Sequence, residues 1–154
     1  MLTRGCSCMN LRGTKMNREI IFRGKVINDN EWVEGFLIKT KRSTLIVKEF
    51  SDDGISVNIK LGYDVRPETV GQYTGRNDLE ESRIFDGDIL CDDESGRKFI
   101  VVWIEEECSF LLKEIGCDVY ENTIDWAAID EGDFLALYIV GNIHDNPELL
   151  EVQR

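Results

Sequence analysis

Residues 55–65 alternate without a break. Ile55, Val57, Ile59, Leu61, Tyr63 and Val65 are separated by Ser56, Asn58, Lys60, Gly62 and Asp64. Successive side chains of a strand point to opposite faces, so six apolar residues at period two predict a half-buried strand. The turn Ser51-Asp-Asp-Gly54 precedes it, and residues 44–50 supply an apolar partner, which together predict a hairpin. A second hairpin is predicted from residues 19–27 and 31–40. They flank Asn28-Asp29-Asn30, residue types that tolerate positive φ. Ile20, Phe22, Trp32, Phe36 and Ile38 are its expected core residues.

The remaining chain continues in short segments. Arg66-Pro67 interrupts the strand pattern, and residues 69–75 are punctuated by Gly71 and Gly75. Gly71-Gln-Tyr-Thr-Gly75 reads as a bend that redirects a strand. Residues 76–82 read as a polar loop, and Arg83-Ile84-Phe85 as a short strand. Asp86-Gly87-Asp88 is a tight turn of type I into Ile89-Leu90-Cys91. Residues 98–104 are almost continuously apolar, as a central strand covered on both faces would be, and residues 134–143 form a second such run. Helix signals are few. Asn146-Pro147-Glu148 predicts a cap and a short C-terminal helical turn, and residues 122–129 read as one helical turn or a bulge. Many short strands joined by Gly and Asp turns define an all-β chain, expected as one small barrel or roll over residues 16–154.

Charge is divided unevenly. The 154 residues carry 30 acids against 18 cations, a net charge of −12. Residues 16–75 balance, nine against nine, whereas residues 76–154 hold 21 acids and six cations. Direct nucleic-acid binding is not expected of such a chain, because phosphate neutralisation needs clustered cations. No run approaches the roughly 18 apolar residues of a transmembrane helix, so no membrane association is expected. Residues 1–15 have Arg4, Arg12 and Lys15, no acid and no periodicity. They are expected to be disordered, or to be translated ribosome-binding sequence ahead of a start at Met16. Five cysteines, Cys6, Cys8, Cys91, Cys108 and Cys117, include no C-x-x-C pair. Cys91, Cys108 and Cys117 are expected as buried free thiols of a cytoplasmic protein.

Residues capable of chemistry are sparse. His144 is the single histidine, so any Ser-His or Cys-His site must use it. It lies between a strand end and the Asn146 cap, which favours a structural role. Asp86 and Asp88 are spaced to approach one cation, but no EF-hand pattern follows them. Neither G-x-G-x-x-G nor a Walker loop occurs, and no cofactor is implied. Tyr73, Trp103, Trp126 and Tyr138 would suit a base-stacking platform, yet most lie in the acidic part, where packing explains them better. Trp126, between Asp125 and Asp130, is the aromatic most expected at an interface.

Several segments resemble the YopX-like proteins of phages and prophages. They are Met16-Asn-Arg-Glu-Ile-Ile-Phe-Arg-Gly-Lys25, Glu31-Trp-Val-Glu-Gly-Phe-Leu-Ile38, Val65-Arg-Pro-Glu-Thr-Val-Gly-Gln-Tyr-Thr-Gly75 and Ile84-Phe-Asp-Gly-Asp-Ile89. Val102-Trp103, Cys108-Ser-Phe110 and Ile139-Val-Gly-Asn-Ile-His-Asp-Asn-Pro-Glu-Leu-Leu150 extend the likeness. It spans residues 16–151 and departs at Leu79-Glu-Glu-Ser82, where relatives tend to carry a Gly-Lys-rich loop. The resemblance implies an SH3-like barrel in the C-terminal part and a phage or prophage protein of the bacterial cytoplasm. It implies no catalytic residues.

The expectation is therefore a non-enzymatic accessory protein that works through a protein partner or self-association. Tyr73, Asp86, Asp88, Trp126 and His144 are its candidate interaction residues. The alternative is an acidic DNA mimic that blocks a host nucleic-acid-binding or restriction protein. A metal-dependent enzyme built on Asp86, Asp88 and His144 is a third and weaker reading.

Overall fold

The computed structural model describes residues 19–117, 123–125 and 136–151. These form β1 (Phe22–Lys25), β2 (Trp32–Lys39), β3 (Thr44–Asp52), β4 (Val57–Asp64), β5 (Gly71–Asn77), β6 (Arg83–Phe85), β7 (Asp88–Asp92), β8 (Lys98–Ile104), β9 (Ser109–Glu114), β10 (Thr123–Asp125) and β11 (Leu137–Asn142). Single 3-10 turns occupy Pro67–Thr69 and Pro147–Leu150. The chain is all-β, and its roll takes the form of two antiparallel sheets rather than a closed barrel. Their strand orders are β4-β3-β2-β1-β5-β6 and β10-β9-β8-β7-β11.

Both N-terminal hairpins form where the alternation and turn residues place them. Asn30 takes φ 61 between β1 and β2, and Gly54 takes φ 81 between β3 and β4. The end of β4 curls back so that Val65 bridges Val26, and Arg66 N–H donates to the Lys25 carbonyl at 2.8 Å. Inside this curl lies one core, Val26, Val33, Ile46 and Val65, supported by Phe22, Leu37, Tyr63 and Val70. A second core belongs mainly to the other sheet: Leu90, Phe99, Val101, Phe110, Leu112 and Leu137, joined by Ile84 of β6.

The chain crosses between the sheets at Asp86-Gly87, directly from β6 into β7. Gly87 has φ 83 at the third turn position, which is type II geometry rather than the expected type I. The crossing is tied on three sides: Asp86 N–H to Gln72 O, Gly87 N–H to Val101 O, and Ile143 N–H to Gly87 O, each at 2.9 Å.

Several expectations are corrected. Phe36 and Ile38 are exposed rather than core, because β2 turns Val33 and Leu37 inward and presents the alternate residues outward. The apolar face of β4 is covered only near Tyr63 and Val65; Ile55, Val57, Ile59 and Leu61 are exposed. Strand β8 is central but alternates in burial, with Phe99 and Val101 inside and Ile100 and Val102 half-buried, and near its end Trp103 on the core face is exposed. Cys91 is buried, whereas Cys108 is exposed in a turn at φ 49 and Cys117 is half-buried. Residues 123–125 pair with β9 as a strand rather than a helical turn. Asn146 does not cap through its side chain; its carboxamide oxygen instead accepts Asn142 N–H at 3.3 Å. The expected leader and Trp126 lie outside the described residues.

Gly71 is required by close approach, since a Cβ there would lie 2.6 Å from the Asp86 carbonyl oxygen. Gly71→Ala is expected to lower stability by about 1–3 kcal/mol, because the crossing backbone has to move. The midpoint of chemical denaturation checks this.

Candidate functional site

The strands of the first sheet have an inner face, turned to the first core, and an outer face. Register places Arg23 opposite Glu34 and Lys25 opposite Trp32, so all four share the outer face. The second sheet sits on this part of it. Arg23 Nη2 lies 2.5 Å from Asp88 Oδ1, and its guanidinium is stacked 4.7 Å from the Trp32 ring and 4.9 Å from Phe85. Asp88 is fully buried, and its other oxygen accepts Phe85 N–H at 2.7 Å. The Arg23–Asp88 contact has the distance of an ion pair but not the angles of a hydrogen bond. Arg23 Nε and Nη2 and Asp88 Oδ1 thus lack hydrogen-bond partners among the described residues. Two oppositely charged atoms at van der Waals contact attract whatever the angle, so the pair holds as charge against charge. Burial pushes the Asp88 carboxyl above its ordinary value, against the pull of Arg23 and the Phe85 N–H.

A second clasp lies beside the first. Asp145, just after β11, takes Lys25 Nζ on one oxygen and Trp32 Nε1 (2.6 Å) and Asn142 Nδ2 (3.0 Å) on the other. Burial alone would raise its carboxyl; these three donors outweigh it and hold the group at about 2. His144 rests 6.0 Å from the Trp32 ring, and burial, then the charges of Arg23 and Lys25, lower its pKa, which keeps it neutral at neutral pH. Asp86 is pushed up by burial, against the pull of neighbouring backbone N–H groups and of the Arg23 charge.

The candidate residues are therefore partly united. Asp86, Asp88 and His144 all come within electrostatic reach of Arg23, and the cation that meets the aspartates is this guanidinium. Among the described residues, no group of three His, Cys, Asp or Glu side chains is placed to hold a metal ion. Tyr73 is buried nearby, its ring 5.7 Å from Phe85 and its hydroxyl donating to Asn77 at 2.8 Å. Arg23, Lys25 and Asp145 were not among the sequence candidates. Their signal lay in the recurring segments Phe22-Arg-Gly-Lys25, Glu31-Trp32 and His144-Asp145, which the fold brings together.

Away from this junction the outer face of the first sheet is uncovered. Phe36 (51 % exposed), Phe50 (48 %) and Ile59 (50 %) form an apolar cluster, with Phe36 and Phe50 edge to face at 5.5 Å. Val47, opposite Phe36 in the register, is buried. Lys39, Lys41, Arg42 and Lys48 lie in the same strands and their connecting turn. All four are exposed, and none is ion-paired among the described residues.

The architecture is that of a small two-sheet antiparallel β-protein whose sheets are clasped by buried charge. The model of the YopX protein family matches residues 21–151, and the chain belongs to that family. A crystal structure of protein EF1440 from Enterococcus faecalis has a similar fold. Its TM-score is 0.58 at 23 % identity, over 87 % of this chain and 99 % of that one. No curated protein matches the chain.

Two outcomes test the clasp. Asp88→Leu leaves a buried unpaired guanidinium and is expected to cost about 3–5 kcal/mol, whereas adding Arg23→Met recovers part of that loss. Denaturant midpoints of the two singles and the double close the cycle. For Asp145, the folded carboxyl titrates at about 2 against an ordinary 3.8, so it stabilises the fold above the ordinary value. That contribution is lost as pH falls toward 2. Asp145→Asn is expected to flatten the stability–pH curve over this acid interval and leave its shape near neutrality unchanged.

Proposed function

We propose that this YopX-family chain is a non-enzymatic phage or prophage accessory protein, acting inside the bacterial host through protein–protein contact. The observation that carries the reading is the apolar outer face of β2, β3 and β4. Scattered exposed apolar residues are ordinary, but Phe36, Phe50 and Ile59 are adjacent, and Lys41, Arg42 and Lys48 of the same hairpin are exposed and not ion-paired among the described residues. Aromatic anchors inside a charged rim are the usual composition of a binding surface. The polar cluster at the sheet junction supports the same reading. Its charges are engaged with one another, and His144 makes no ring hydrogen bond to a serine or cysteine among the described residues.

The DNA-mimic alternative has less support. A phosphate-like array needs free, solvated carboxylates. Five carboxylates of the acidic part are engaged: Asp88 and Asp92 are buried, Asp145 is clasped, Glu114 is paired with Arg97, and Asp78 accepts the N–H groups of Glu80, Ser82 and Ile139, which leaves exposed runs such as Glu105–Glu107 rather than one continuous array.

Phe36→Ser with Ile59→Ser removes apolar area from an already solvated face, so melting temperature is expected to stay close to wild type. Truncating two anchors is expected to weaken partner binding by roughly 2 kcal/mol or more, near thirtyfold. Co-precipitation and hydrogen exchange check this together: amides of β2–β4 become protected in the wild-type complex and not with the variant. Equal capture of the same partner by the folded variant would sink the reading.

A further inference from the structure

We propose that the apolar outer face of β2–β4 seats the β8–β9 turn of a second copy of this chain, so that copies associate head to tail. The inference rests on the interaction-module reading above and names the partner of that surface.

The two surfaces complement each other in charge and in shape of contact. Beside the receiving face, Lys41 and Arg42 in the β2–β3 turn and Lys48 in β3 lie within eight residues that contain no acid. The β8–β9 turn has three consecutive exposed glutamates, Glu105, Glu106 and Glu107, and none is ion-paired among the described residues. Beside them Trp103 is 43 % exposed, held edge to face on Phe110 at 5.0 Å. An indole set at the base of an acidic turn matches an aromatic patch at the base of a basic one. Trp103 would pack on Phe36 and Phe50 while the glutamates meet the cations.

Continuity with an interface already present supports the choice of occupant. The second sheet already sits on the first part of this outer face, through Asp88 and Asp145 on Arg23, Lys25 and Trp32. A second copy would extend the same cover along the strands with material from the same C-terminal sheet. Both surfaces are exposed, and among the described residues nothing in the same molecule covers either. Because they are different surfaces, the contact is heterologous and builds rings or open chains rather than two-fold dimers.

The test uses the full chain and measures mass by light scattering and sedimentation at low and high salt. The wild type is expected to exceed monomer mass at low salt and to fall toward it as salt rises. Lys41→Glu with Arg42→Glu weakens association by about tenfold or more, and so does Glu105→Lys with Glu107→Lys. Mixing the two reversed variants restores it, because each supplies the surface that the other's altered turn now needs. A wild type that stays monomeric at low salt overturns the proposal, as does a mixture that fails to recover. If the monomer still requires Phe36 and Ile59 to capture a host protein, the interaction-module reading stands and only self-association falls. Binding of a single-stranded oligonucleotide that is lost in the Lys41→Glu, Arg42→Glu variant, with no change in mass, would assign the basic rim to nucleic acid and overturn the proposal.

Discussion

A single buried cation holds the two halves of this fold in register. Each sheet has its own apolar core, and the chain passes between them in the two-residue turn Asp86-Gly87. Among the described residues, apolar burial links the sheets only through Ile84 of β6, which joins the second core. Arg23 adds a directional link, because its guanidinium is enclosed by Trp32 from the first sheet, by Phe85 at the end of β6 and by Asp88 at the start of β7. A flat ion stacked between two rings restrains rotation about the crossing, which a greasy contact would allow. The cost of desolvating Asp88 is offset only in part by that charge and by the local Phe85 N–H, and the charge is lost if the sheets separate. Such a pair contributes less to net stability than to a unique arrangement.

The second clasp differs in kind. Asp145 sits nearer solvent and collects an ammonium, an indole N–H and a carboxamide. Its low pKa records how well the folded chain solvates the carboxylate. One aspartate is thus buried and strained toward protonation, while its neighbour in space is stabilised as an anion. Together they bring β1, β2, β7 and the segment after β11 to one place.

Sheet content and turn positions were legible in the sequence because alternation and Asn, Asp and Gly turns are local signals. What alternation cannot reveal is which of the two faces a neighbour covers. Phe36 and Ile38 read as core because they are apolar at period two, but Val33 and Leu37 hold the inner face and the alternate set faces outward. The same ambiguity hid the exposure of Ile59, whereas Trp103 shares the core face of Phe99 and Val101 and is exposed only near the strand end. Arg23 was illegible for a different reason: a lone cation in a strand normally reaches solvent, and only the long-range meeting with Trp32, Phe85 and Asp88 encloses it. Asp86, Asp88 and His144 were found as unusual residues, yet their common partner was not.

The free edge at β4 shows why association through the face is more favourable than association through the edge. An eight-residue edge strand carrying Val57, Ile59 and Leu61 would ordinarily invite pairing with another strand. Here the register of β3 and β4 slips twice. Lys48 is skipped between the pairs Val47–Gly62 and Glu49–Leu61, and Lys60 is skipped between Glu49–Leu61 and Phe50–Ile59. Both bulged positions are lysines, and bulges twist a strand away from a flat partner while lysines repel a like-charged one. The far end of β4 is occupied as well, because Val65 bridges Val26 and the Asp64 carbonyl accepts Ile27 N–H at 3.0 Å. The backbone edge is thereby closed to a second strand, and the side-chain face that the bulges leave apolar, Phe36 with Phe50 and Ile59, is the surface left for a partner to cover.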